Sequence, residues 1–275
     1  MDHALELARQ SRGLVVVVTG AGISAESGIP TFRGEEGYWV VDSRHYRPEE
    51  MATNAAFQRM PREVWRWYLY RRAVCQAAPV NDGHRALVSL EASLGDDFVL
   101  ATQNVDGLHL RAGQSAARTY EVHGNIDFMR CAAACTTELF ALPTDSPALA
   151  KDDPLDESFF SALRCPVCSG PSRPHVLWFD EYYDEKLYRF ESSLRASAEA
   201  NLLLTIGTSG ATNLPSQMVS MAARRGIAII DINPADNPFA QIARQSGGAH
   251  VESGAGAALP ALATAIIDAR AAEPA

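Results

Sequence analysis

Hydrophobic residues in this chain gather in short unbroken runs. Leu14-Val15-Val16-Val17-Val18-Thr19, Asp97-Phe98-Val99-Leu100-Ala101-Thr102, Asn201-Leu202-Leu203-Leu204-Thr205-Ile206 and Gly226-Ile227-Ala228-Ile229-Ile230-Asp231-Ile232-Asn233-Pro234 are the clearest. Runs of this length without alternation predict strands buried on both faces, as in parallel sheets. Segments of helical character lie over 215–225 and in the alanine-rich stretch 259–272. Strands alternating with helices, each strand ending in small or polar residues, predict an α/β fold on a doubly wound, parallel, Rossmann-like sheet. Ligands of such sheets lie beyond the carboxyl ends of the strands. Residues 20–24, 103–106, 207–209 and Asn233 are therefore expected around one crevice.

Two stretches interrupt this rhythm. Roughly residues 35–78 read as helices, with Trp65, Tyr68, Leu69 and Arg72 at helical spacing. Residues 128–174 hold the paired cysteines around a Pro-, Asp- and Ser-rich middle with no period. The length of 275 residues fits one or two domains, at about 150 residues each. The expected division is a Rossmann-like domain from 1–36, 78–127 and 175–275, a helical insertion over 37–77 and a cysteine-bearing insertion over 128–174. The two insertions together make the smaller domain.

Gly20-Ala21-Gly22-Ile23-Ser24 follows the first run directly. A glycine pair lets the backbone turn tightly, and the free N–H groups of a following helix face an incoming anion. Gly20-x-Gly22-x-x-Ala25 fits the dinucleotide fingerprint with alanine in third place, although a glycine turn after a strand also occurs as a plain loop. A usual Rossmann unit places an acidic residue about twenty positions on. Asp42 has that count but no βαβ spacing around it, so this is not a standard dehydrogenase half. The chain continues instead as Glu26-Ser27-Gly28-Ile29-Pro30-Thr31-Phe32-Arg33-Gly34. Phe32 suits an apolar cover over a bound cofactor and Arg33 an anion contact.

Hydrophobic content of 47% and charge of 21% suit a globular protein with a real core. The net charge of −9 argues against wrapping nucleic acid, which wants a basic face. No apolar run reaches the roughly eighteen residues of a transmembrane helix. Met1-Asp2-His3-Ala4-Leu5-Glu6 lacks the basic-then-apolar order of a signal peptide. A cytoplasmic monomer without membrane or nucleic-acid partners is expected.

Cys131-x-x-x-Cys135 and, after 29 residues, Cys165-x-x-Cys168 form a tetrathiolate pattern, with Cys75 standing apart. Zinc takes four thiolates tetrahedrally, and four protein ligands make a closed, structural site. Binding energy of about 10–16 kcal/mol can order a stretch with few apolar residues of its own. In a reducing compartment, paired cysteines read as metal ligands before disulfides, with four metal-free thiols as the alternative.

Taken together these segments resemble the sirtuins, the NAD-dependent protein lysine deacylases. The matching pieces are Gly20-Ala21-Gly22-Ile23-Ser24, Gly28-Ile29-Pro30-Thr31-Phe32-Arg33, Thr102-Gln103-Asn104-Val105-Asp106-Gly107-Leu108-His109 and His123-Gly124. The four cysteines, Arg173-Pro174-His175-Val176-Leu177-Trp178-Phe179, Gly207-Thr208-Ser209 and Asn233 follow in family order. The resemblance implies NAD as co-substrate, one structural Zn2+ on Cys131, Cys135, Cys165 and Cys168, and acylated-lysine proteins or peptides as partners. It implies His123 as general base toward a ribose hydroxyl, a task that an imidazole near neutral pKa suits. Gln103 and Asn104 would position the nicotinamide ribose, while Val105 and Asp106 hold the carboxamide. Gly20, Ala21, Gly22, Ile23, Ser24, Thr31, Phe32, Arg33, Tyr38 and Trp39 complete that side of the cofactor site, with Phe32 shielding the reactive ribose carbon. Gly207, Thr208 and Ser209 would contact phosphate and ribose, Asn233 the adenine-side ribose, and Ala255 the surroundings of the adenine. Val176, Trp178 and Phe179 would meet the substrate, the strand 176–179 pairing with the peptide backbone. In the family the acyl oxygen displaces nicotinamide, and a ribose hydroxyl attacks the resulting imidate. Free lysine and O-acyl-ADP-ribose result, with the enzyme supplying alignment and exclusion of water.

Tyr68-Leu69-Tyr70-Arg71 carries the Tyr-x-x-Arg pair of the class III sirtuins, which Thr31 and Gly37-Tyr38-Trp39 also match. At i and i+3, Tyr68 and Arg71 project from one helix face. A phenol beside a guanidinium makes a receptor for a carboxylate ending an acyl chain, as in succinyl- or malonyl-lysine. The same pair is also ordinary on an amphipathic helix. Two departures from the family pattern stand out. Asp180-Glu181 follows Phe179 where most relatives have Gly-Glu, so Asp180 is expected to alter peptide preference or crowd the acceptor. Gly210-Ala211-Thr212-Asn213-Leu214-Pro215 replaces the usual Val-x-Pro. A protein ADP-ribosyltransferase or an NAD hydrolase would use the same crevice, and a non-catalytic NAD-binding module is a third class. His123 and Asn104 argue against the last, and the acyl-lysine features favour deacylation over the first two.

Overall fold

The computed structural model describes residues 1–30, 39–41 and 44–272. In chain order its strands are Val15–Thr19 (β1), Trp39–Val41 (β2), Arg44–Tyr46 (β3), Phe98–Thr102 (β4), Thr119–Glu121 (β5) and Gly124–Cys131 (β6). Phe140–Ala141 (β7), Ser172–Val176 (β8), Leu202–Ile206 (β9), Ala228–Ile232 (β10) and Ala249–Val251 (β11) follow. Six of them form one sheet in the order β11-β10-β9-β1-β4-β5, with every pairing parallel. The four apolar runs supply its central strands. Val15 and Val17 enter the core on one face, Val16 and Val18 the core on the other. Burial on both sides is what removed alternation from the sequence.

From β1 the chain moves outward through β4 to β5, then returns to β9 on the opposite flank and proceeds to β10 and β11. The direction of winding therefore reverses between β1 and β9, and a crevice opens at their carboxyl ends. The helices Asp2–Gln10, Asp82–Leu94 and Ala255–Ala271 cover one face through Ala4, Ala8, Leu87, Leu90, Leu262 and Ile266. The helices Phe190–Glu199, Asn213–Arg224 and Pro238–Gln245 cover the other, where Leu214, Met218 and Phe239 are buried.

The remaining residues build a second body. A three-stranded antiparallel sheet, β7-β6-β8, lies beside the helices Pro48–Met51, Asn54–Arg59 and Pro61–Ala77. The expectation of helices alone over 35–78 is corrected by the hairpin of β2 and β3, which pairs Trp39 with Tyr46. Three-residue strands are too short to show a period of two. Met51, Phe57, Trp65 and Leu69 share one apolar core with Leu142, Leu155, Leu163 and Trp178. Only Val122 and His123 separate β5 of the large sheet from β6 of the small one. Among the described residues no helix is long and apolar enough to cross a membrane.

Candidate active site

The crevice floor is made where two turns touch. Gly20 N–H donates to Ile206 O at 2.9 Å and Gly22 N–H to Gly207 O at 2.8 Å. A Cβ on Gly22 would lie 2.5 Å from Gly207 Cα, and Gly207 itself has φ +58°. Backbone meets backbone here, so side chains are excluded and peptide groups face the crevice. Ile23 is buried in the main core. The buried Ser24 donates its hydroxyl to Asp106 Oδ2 at 2.8 Å and accepts from Asn104 Nδ2 at 3.1 Å. Asn104 also donates to Gly20 O at 3.1 Å, and Asp106 Oδ1 accepts from Leu108 N–H at 2.9 Å. Burial pushes the Asp106 carboxyl above its ordinary value. Val105 O accepts from Ile126 N–H at 2.9 Å, while its side chain packs toward the second core.

Gln103 links both flanks of the winding reversal. Its Nε2 donates to Thr208 Oγ1 at 2.9 Å and to Thr19 O at 3.2 Å, and its Oε1 accepts from Thr212 Oγ1 at 2.7 Å. Asn233 Nδ2 donates to Thr208 O at 3.1 Å, and Ser209 lies exposed on the turn after β9. Amides and hydroxyls from the ends of β1, β4, β9 and β10 thus gather in two adjoining hydrogen-bonded sets, one on Asn104 and one on Gln103.

His123 stands at their side. Its Nδ1 is 3.0 Å from Gln103 O, and a carbonyl only accepts, so Nδ1 carries the proton. Nε2 is then the acceptor, and it meets the Tyr183 hydroxyl at 2.8 Å. Burial lowers His123 to about 4, with the Gln103 carbonyl opposing. The near-neutral value expected of an unburied imidazole is thus displaced downward. The neutral ring, with its lone pair on Nε2, is the form present at physiological pH.

Tyr68 and Trp178 meet in the second core. The buried Tyr68 oxygen accepts from Trp178 Nε1 at 3.0 Å, and burial pushes the phenol up. Arg71, one turn on, holds its guanidinium carbon 5.3 Å from the Trp67 ring centroid. Arg173 lies 3.3 Å over the Trp178 ring and pairs with Glu181. The structure ends β8 at Val176 rather than at residue 179. Leu177 N–H donates to His123 O at 2.9 Å, Trp178 N–H to Glu181 Oε2 at 3.1 Å and Phe179 N–H to Ala52 O at 3.0 Å. Three donors that a peptide strand would use are thereby engaged within the chain, while the Phe179 side chain is 59% exposed. Asp180 does not crowd this edge. Its carboxylate accepts Asn54 N–H at 2.7 Å and Ala55 N–H at 3.0 Å, at the start of the helix Asn54–Arg59.

Ala255 begins the last helix with its methyl buried in the main core, close to Gly83. Thr31, Phe32, Arg33 and Tyr38 fall outside the described residues, and Trp39 is described by its backbone in β2. The four thiols converge, with all Sγ atoms within 4.8 Å of one another and the pairs Cys131–Cys168 and Cys135–Cys165 at 3.6 Å. Zn–S bonds of about 2.3 Å arranged tetrahedrally put sulfurs about 3.8 Å apart, so this set is positioned to hold a structural metal ion. Ala134 and Ser169, each beside a ligand, sit at φ +52° and +58°. Tyr183 and Thr212 were not among the expected site residues. The only signal was that Thr212 lies in the departing segment 210–215; nothing in the sequence marked Tyr183.

A sequence profile of the Sir2 family matches residues 20–213. The chain belongs to the Sir2 family. Sir2 relatives described as NAD-dependent protein deacylases align along most of it. That of Leptospira interrogans serovar Lai is 38% identical over 92% of this chain and 93% of its own. That of Aquifex aeolicus is 38% identical over 83% of this chain and 87% of its own. A solved Sir2 homologue in complex with NAD superposes with a TM-score of 0.79 at 33% identity, covering 98% of this chain and 95% of the other. A mutant Sir2 homologue holding 2'-O-acetyl ADP ribose gives 0.80 at 34%, covering 98% of both chains.

Proposed function

We propose that this Sir2 protein is an NAD-dependent protein-lysine deacylase that prefers acyl chains ending in a carboxylate, succinyl or malonyl, with acetyl as a lesser substrate. The observation carrying the activity is the imidazole of His123. It is neutral, its Nδ1–H is fixed by Gln103, and its Nε2 lone pair lies beside the crevice. NAD would supply an ADP-ribosyl group with nicotinamide as leaving group. The polar groups at the strand ends suit such a ligand: Asn104, Ser24, Gln103 and Thr208 bring hydroxyls and amides together beside the packed glycine turns. Asp106, a buried acceptor bonded to Ser24, suits a carboxamide N–H. His123 Nε2 takes the proton of a sugar hydroxyl.

The acyl preference rests on Tyr68. Its oxygen already accepts from Trp178, and its own hydrogen has no acceptor among the described residues. A neutral buried phenol in that state donates to an incoming carboxylate, with the Arg71 charge on the same helix face. Turnover of succinyl- and acetyl-lysine peptides by wild type and Arg71→Met tests this. Removing one charge-assisted contact should cut succinyl kcat/KM by about tenfold or more relative to acetyl. Equal loss on both, or none, would defeat the assignment. Mass spectrometry of the products decides the reaction. Acyl-ADP-ribose supports deacylation, an ADP-ribosylated peptide indicates transfer, and free ADP-ribose without peptide dependence indicates hydrolysis.

A further inference from the structure

The stretch that follows the Asp180 departure and the departing segment 210–215 meet around His123. Tyr183 belongs to the stretch after Phe179, and Thr212 and Leu214 to the stretch after Ser209. The Tyr183 hydroxyl sits 2.8 Å from His123 Nε2. On the other side of the ring, Gln103 receives His123 Nδ1–H on its carbonyl and Thr212 Oγ1 on its side chain. Both nitrogens of the imidazole are thus held, Nε2 by Tyr183 and Nδ1 by the Gln103 carbonyl, with Thr212 fixing the Gln103 side chain.

This arrangement has a consequence for proton transfer. A neutral imidazole protonated on Nδ1 has a single lone pair, on Nε2. Tyr183 occupies it. A sugar hydroxyl and the phenol cannot both donate to that lone pair. Tyr183 sits on a short loop fastened on either side. It lies between Asp180, anchored on Asn54 and Ala55, and Asp184, which caps the helix Glu185–Tyr188 through Leu187 N–H at 2.8 Å. Its neighbour Tyr182 is 91% exposed, and its ring packs on Phe190 at a centroid distance of 5.8 Å.

We infer that Tyr183 is a displaceable stopper on the base: its hydroxyl occupies the single lone pair of His123 Nε2 and must give way for a nucleotide's sugar hydroxyl to be deprotonated there. The inference rests on His123 being the base in the reading above. Tyr183 is a positioning residue, since it acts through His123. It also keeps the base in its Nδ1–H tautomer before ligand binding. No charged side chain among the described residues contributes to the His123 shift, which comes from burial opposed by the Gln103 carbonyl.

Tyr183→Phe removes the hydroxyl and keeps the packing on Phe190. NMR titration of His123 in the ligand-free variant should show its midpoint rising by about half a pH unit or more, because a donor to the neutral form has gone. Calorimetry should show NAD binding about threefold to tenfold tighter, since binding no longer breaks that hydrogen bond. An unmoved midpoint with unchanged NAD affinity overturns the inference. So does a kcat lowered about tenfold with binding unchanged, which would place Tyr183 inside the turnover itself. His123→Ala, assayed alongside, separates the two ideas. Undiminished deacylation by that variant removes the base assignment, whereas an inactive His123→Ala beside a silent Tyr183→Phe removes only the stopper.

Discussion

Replacing Asp180 tests how the peptide-side loop is tied to the helical part of the molecule. Its carboxylate accepts the first two N–H groups of the helix Asn54–Arg59, and Thr53 takes that of Ala56 through its side chain. The first turn of a helix has no internal acceptors, so these three bonds satisfy groups that would otherwise face water. Asp180 is exposed, which limits the gain to the range of ordinary caps, about 0.5–2 kcal/mol with about 1 as the centre. For a chain of this size, about 1 kcal/mol moves the midpoint of thermal unfolding by about 2–4 °C. Asp180→Gly should show that loss. Asp180→Asn keeps one accepting oxygen and should lose about half as much. Calorimetric melting of the three proteins, with amide exchange at Asn54 and Ala55, gives the readout. The same midpoint and the same exchange rates in all three would show that the contact contributes nothing.

Acid should destabilise the fold. Burial lowers His84 and His123 to about 4, His175 to about 3 and His109 well below its ordinary value. In the unfolded chain each binds its proton near pH 6.5, so below that pH the unfolded state holds more protons and stability falls by up to about 1.4 kcal/mol per pH unit for each histidine. Asp106 and Glu121, the latter raised to about 7 by burial, act in the opposite sense, leaving four groups against two. Urea midpoints should therefore be lower at about pH 5 than at about pH 7.5, and equal midpoints would refute the balance. Metal removal should loosen more than the cysteine segment, because binding energies of about 10–16 kcal/mol match whole-domain stabilities of about 5–15. Chelation should raise hydrogen exchange across 124–176 and, through the shared core, across 61–77, with Zn2+ restoring protection. Purified protein without bound metal, or exchange indifferent to chelator, would contradict this.

The four central strands of the large sheet were legible because burial on both faces leaves mostly aliphatic residues, and each run falls within a residue or two of its strand. Thr119–Glu121 and Ala249–Val251 escaped because three residues carry no period. The helix Asp82–Leu94 also went unread, though Asn81 caps it by accepting from Gly83 and His84 N–H. At the site, the glycine turns, Gln103, Asn104, Asp106 and His123 were nameable because their types and order follow a family pattern. What could not be read were pairings between distant segments. Asp180, expected to alter peptide preference or crowd the acceptor, is tied through its carboxylate to the start of the helix Asn54–Arg59. Tyr183 and Thr212 lie 60 and 109 positions from the groups they hold, His123 and Gln103. Only the fold sets such distances.

The two-residue link between β5 and β6 has a mechanical meaning. Val122 is fastened to the large sheet by its N–H on Thr102 O, and the carbonyl of His123 is fastened to Leu177 at the edge of the small one. The imidazole therefore sits on a short link that both sheets hold at once, and a substitution that loosens either fastening is felt directly at residue 123.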